Sequence, residues 1–104
     1  MPKFILAYHG GEKHMEKEES VALMNKWKTW AEGLGETLCE PGHPLGMSKT
    51  VSATEVRDDG GANPLMGYSV IEVDDIDAAV AIAQSCPHLE MKTGTLEIAE
   101  LMQM

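Results

Sequence analysis

Leu23, Trp27, Trp30 and Leu34 recur at i, i+4, i+7 and i+11, which sets four large apolar side chains on one stripe of an α-helix. Met24 and Ala31 widen the stripe. Glu16, Glu18 and Glu19 stand near its amino end and Lys26 and Lys28 further along, an order that favours the helix macrodipole. Gly33 and Gly35 supply the carboxy-terminal stop. Such a stripe must be covered, and the rest of the chain offers short strands to cover it.

Lys3 to Tyr8 is a short apolar run halted by His9-Gly10-Gly11, as in a buried strand. Glu12 to Lys17 reads as a polar connection. Glu36 to Glu40 reads as a short strand ended by Pro41-Gly42-His43-Pro44, a loop stiffened by two proline rings. Ser48 to Arg57, rich in Thr and Val, reads as a strand or an extended arm, and Asp58 to Pro64 as a loop. Gly67 to Val73 is the next strand, with Ser69, Ile71 and Val73 on one face and Tyr68, Val70 and Glu72 on the other. Asp74 or Asp75 then caps a second helix with the stripe Ile76, Ala79, Val80 and Ala83, ended by Pro87. Thr93 to Leu101 is the last strand, Leu96 and Ile98 facing one way and Thr95, Glu97 and Ala99 the other.

The order β-α-β-β-β-α-β in 104 residues fits one domain, 1–104. The fold class is α+β: a ferredoxin-like split βαβ arrangement with one additional or broken strand and two helices on one face of an antiparallel sheet. Leu96, Ile98, Ile71 and Val73 should meet the helices. The opposite face, with Tyr68, Val70, Glu72, Thr95 and Glu97, can be solvated or can line a dimer.

With 17 acidic and 8 basic side chains the net charge is −9, and Arg57 is the one arginine. Such a surface repels nucleic-acid backbones and anionic membranes, both of which are gripped through Lys and Arg. No apolar run is long enough to span a bilayer, and the amino terminus lacks the features of a signal peptide, so the expected location is cytoplasmic. Cys39 and Cys86 read as reduced packing residues. Cys39 with His43 is at most half of a metal site, so no metal is expected. The absence of a Gly-rich phosphate loop, a Gly-x-Ser-x-Gly elbow and an HExxH motif leads to an expectation of no cofactor.

Several stretches, in order along nearly the whole chain, resemble the YCII-related family. Met24-Asn25-Lys26-Trp27-Lys28-Thr29-Trp30 resembles its M-x-K-W-x-x-W helix, and Gly42-His43-Pro44-Leu45 stands where members carry a G-G-P-L turn. Gly67 to Asp74 resembles the G-Y-x-I-I-E-A-D strand, Ile82 to Leu89 resembles I-A-x-x-C-P-x-L, and Gly94 to Ile98 resembles G-x-x-E-V. The resemblance implies a ferredoxin-like protomer that pairs sheet to sheet as a homodimer, forming a dimeric α/β barrel. Some members use a His/Asp pair in lyase-type or dehalogenating chemistry, the His on the first helix and the Asp on the following strand. Here that helix has no histidine and Leu38-Cys39-Glu40 has no aspartate. Gly61-Ala62-Asn63-Pro64-Leu65 also replaces the family's D-G-P-F, so activity through that pair is not implied.

Imidazole titrates near neutrality, which makes the histidines the acid/base candidates. His14 reads as solvated linker surface. His9 closes the first strand, either facing a cleft as a base or exposed in a loop. His43 is held between prolines, as suits a positioned base or an ordinary polar turn. His88 follows the second helix, where it can line a ligand site or bind helix-end carbonyls. Glu72 lies among apolar neighbours, either as a buried acid/base group or as a rim carboxylate paired to a lysine. Trp27 and Trp30 read as core, or as an aromatic wall for a planar ligand, with Tyr8 and Tyr68 adding hydroxyls.

Two functions follow. One is a cofactor-free lyase- or isomerase-like protein in which the dimer barrel holds a small aromatic or carbonyl compound, with His9, His43 or Glu72 moving a proton. The other is a non-catalytic ligand-sensing or protein-interaction module.

Overall fold

A computed structural model describes residues 1–11 and 16–103. His14 and the middle of the expected polar connection lie outside the described residues. The first strand, β1 (Lys3–His9), buries Phe4, Leu6 and Tyr8 and leaves Ile5 and Ala7 half-covered. It is followed by helix α1 (Lys17–Leu34), a 3₁₀ turn (Gly35–Thr37) and β2 (Leu38–Glu40). Next come β3 (Thr50–Val51), β4 (Val56–Arg57), β5 (Leu65–Glu72), α2 (Ile76–Gln84), a 3₁₀ turn (Pro87–Glu90) and β6 (Thr95–Glu100).

The main sheet runs β2-β5-β1-β6, and every pairing in it is antiparallel. With two helices on this sheet the domain is α+β and compatible with the ferredoxin-like arrangement. Side chains alternate across the strands as the sequence implies. Leu6 lies opposite Ser69 and Ile98, and Phe4 opposite Ile71. These residues and Val73 turn towards the helices, where Phe4, Leu6, Tyr8, Ile71, Ala79 and Ala83 form the core. The other face carries Ile5, Ala7, Tyr68, Val70, Glu72, Thr95 and Glu97.

Both helices follow their sequence signals, with adjustments. In α1 the half-buried positions are Ser20, Leu23, Trp27, Trp30, Ala31 and Leu34, and Gly35 ends the helix at φ +56°. Met24, expected on the stripe, is exposed. Lys26 lies in mid-helix and pairs with Glu90 at 2.6 Å, and the last turn carries no basic side chain. In α2 the cap is Asp75, whose carboxylate accepts the Ala78 N–H at 2.8 Å. The expected stripe is rotated: Ala79 and Ala83 are buried with Ala78 and Ile82 packed beside them, while Ile76 and Val80 are exposed. Alanines on the inner line let the helix lie close to the sheet, which displaces the larger residues outward.

The segment expected as one strand or an arm over Ser48 to Arg57 is a small hairpin, β3 with β4, outside the main sheet. Every residue from 49 to 59 is exposed. The radius of gyration is 14.8 Å, against roughly 13 Å for a compact chain of 100 residues, because this arm stands away from the body.

Leu6 has no exposed surface. Leu6→Ala is expected to cost about 2–5 kcal/mol, and Asp75→Ala about 1 kcal/mol, both read as a lower urea midpoint at unchanged slope.

Candidate ligand-binding site

Tyr8 of β1 faces Gly67 of β5 directly across the pair. Because residue 67 has no side chain, the loop after β2 lies directly against the sheet, the His43 carbonyl 3.2 Å from where a Cβ would stand, and a hollow opens beside it on the helix side. The loop after β2 walls this hollow. Leu45 N–H donates to the Met66 carbonyl at 2.9 Å, and Pro44 bridges to Gly67, so the loop runs on along β5. Gly42 sits at φ +75° against the Tyr68 carbonyl, where any Cβ would collide. Met24 and Trp27 of α1 overhang the hollow, and His88 and Met91 close the far side. Met24 is exposed because the space beneath it is open. The cavity measures about 350 Å³, within the range of small-molecule sites.

Its floor is a directed chain of hydrogen bonds. Tyr8 O–H donates to Ser69 Oγ at 2.7 Å, and Ser69 O–H donates to the Pro41 carbonyl at 2.7 Å. A carbonyl can only accept, so the sense of both bonds is fixed. Burial pushes the Tyr8 phenol up from 10.0 to about 12, partly offset by the Ser69 bond. Tyr8 is therefore a neutral phenol at physiological pH. Trp27 stands edge-on to its ring with centroids 5.1 Å apart. His88 is 3% exposed, and its Nε2–H donates to the His9 carbonyl at 2.8 Å. That bond fixes the tautomer and leaves Nδ1 as the ring's acceptor, without a partner among the described residues.

Of the residues singled out in the sequence, Tyr8, Trp27, His43, Tyr68 and His88 line this cavity. Three do not. His9 gives its carbonyl to His88, but its ring lies on the opposite face between the Asn63 carbonyl (Nδ1, 2.9 Å) and Glu97 (Nε2, 3.1 Å). Glu72 is at the far end of β5, opposite Lys3. Trp30 turns to α2, where its indole N–H donates to Ser85 Oγ at 3.0 Å. His43 is exposed and stands edge-on to Tyr68, centroids 6.3 Å apart. The Tyr68 hydroxyl donates to Glu40 at 3.3 Å; desolvation and the adjacent carboxylate hold this phenol above its usual range. Cys39 is exposed and Cys86 buried, each a free thiol. Among the described residues no group of three or more His, Cys, Asp or Glu side chains could hold a metal.

The chain matches no protein-family model and no curated protein.

Sequence reasoning missed Ser69, Gly67 and the three lining methionines, Met24, Met66 and Met91. Gly67 carried a signal, since a glycine in a strand marks close approach of another backbone or a ligand. The methionines carried none, being scattered along the chain.

Burial also raises the Cys86 thiol from 9.0 to about 11. In both Tyr8 and Cys86 the folded state favours the protonated form. Their contribution is complete below about pH 9 and is lost as pH rises through about 11 and then about 12. Melting temperature should fall across this alkaline window, and Tyr8→Phe should flatten its upper part and Cys86→Ala its lower part in thermal melts.

Proposed function

We propose that this chain is a YCII-related protein that binds a small aromatic or carbonyl compound in the cavity between α1 and the sheet. The observation that carries the reading is the cavity of about 350 Å³ beside Tyr8 and Gly67, lined by an indole, two phenols and three thioethers. Thioethers make favourable contacts with aromatic rings, and such walls suit a flat apolar ligand.

Binding without turnover is the better supported of the two functions. A histidine–carboxylate contact inside the cavity would have favoured proton transfer. The one such contact among the described residues, His9 with Glu97, lies on the other face with the carboxylate 73% exposed. No carboxylate among the described residues lines the cavity, and Tyr8 is held neutral. A catalytic version rests on His88, whose Nδ1 is the available base, or on His43 at the rim.

Self-pairing across the face opposite the helices belongs to the same proposal. Ile5 and Ala7, both half-buried, flank the buried Val70 on that face, and a domain of this size gains from covering them. No helix among the described residues is long and apolar enough to cross a membrane.

Titration with 2-naphthol, followed by indole fluorescence, is expected to saturate. Gly67→Leu should abolish the signal change by displacing the loop that walls the cavity, since even a Cβ there would sit 3.2 Å from the His43 carbonyl and 3.4 Å from Tyr8. Equal binding by wild type and this variant would remove the reading. Sedimentation at micromolar concentration is expected to give twice the monomer mass, and a monomer would remove the sheet-to-sheet pairing.

A further inference from the structure

The polar atoms on the cavity floor all present the same sense. Ser69 gives its proton to the Pro41 carbonyl, and Tyr8 gives its own to Ser69. His88 Nε2–H likewise donates to the His9 carbonyl. Tyr8 and Ser69 keep no side-chain proton for a ligand; what remains is lone pairs on Tyr8 Oη and Ser69 Oγ. A ligand group placed against this floor must donate, or leave these acceptors unpaired in a largely apolar hollow, a costly arrangement.

Trp27 lines the wall, and its indole N–H has no hydrogen-bond partner among the described residues. A hydroxyl on an aromatic ring meets both requirements, donating to the floor and accepting from the wall. A carboxylate meets lone pairs with negative charge, inside a protein of net charge −9. A ketone or ether has nothing to donate.

Resting on the proposed function above, we infer that the cavity selects an aromatic alcohol, a phenol-type hydrogen-bond donor, over aromatic carboxylates, ethers and ketones. The basis is geometric, in that the direction of every bond on the floor is set by a backbone carbonyl at its end.

The test compares 2-naphthol, 2-methoxynaphthalene and 2-naphthoate on the wild-type protein near neutral pH by calorimetry or fluorescence. One hydrogen bond to an otherwise unpaired acceptor corresponds to roughly tenfold in affinity. 2-Naphthol is therefore expected to bind about tenfold more tightly than its methyl ether, with the carboxylate weakest. Ser69→Ala provides an internal reversal. Removing Ser69 Oγ frees the Tyr8 O–H to donate into the cavity, and the preference for naphthol over its ether should shrink towards unity. Two results overturn the inference while leaving the cavity reading intact: equal affinities for naphthol and the ether, or tightest binding of the carboxylate. If none of the three binds, the cavity reading falls and takes this inference with it.

Discussion

The structure hangs on β1. It is the one strand of the main sheet paired along nearly its full length on both sides, to β5 and β6. Its alternation of Phe4, Leu6 and Tyr8 inward supplies three of the core side chains. Burial of these residues is what draws two helices and the sheet together, since area removed from water is the dominant favourable term in a small domain. The last inward residue, Tyr8, is where packing gives way to an opening. Across from Phe4 and Leu6 stand Ile71 and Ser69; across from Tyr8 stands a glycine. The same periodicity that closes the core therefore leaves a hollow at its end.

Two long-range connections give that hollow fixed walls. The loop after β2 is stitched to β5 through backbone bonds and a bridge, so prolines 41 and 44 become part of a surface instead of a free turn. On the far side the 3₁₀ turn of Pro87–Glu90 delivers His88, whose ring is tied to the end of β1. Both connections end on backbone carbonyls. Such acceptors have no alternative protonation state, and they impose direction on the groups bonded to them.

Much of the fold was legible because it is periodic. The α1 stripe, the face alternation in β5 and β6, and the Asp75 cap each follow from spacing within one segment. The rotation of α2 was not legible, because alanines at 79 and 83 gain through close approach to the sheet, which a hydropathy pattern undervalues. The cavity was legible only as a set of suspects. Tyr8, Trp27, His43, Tyr68 and His88 were named from residue type, yet their meeting depends on the register of Tyr8 with Gly67 and on contacts such as His88 with His9, 79 residues apart. Glu72 was read as a site residue on the face away from the helices, and His9 as either facing a cleft or exposed; the cavity opens on the helix side, and neither side chain lines it.

The exposed hairpin of β3 and β4 divides the molecule energetically. Its amides bond within the arm, and its residues 49–59 add nothing to the core, so disrupting it leaves the four-stranded sheet as it was. Opening of the arm and loss of the domain are thus separate events with separate free energies. In hydrogen exchange the amides of Thr50 to Arg57 would trade with solvent at rates insensitive to global stability, while those of β1 would report on it.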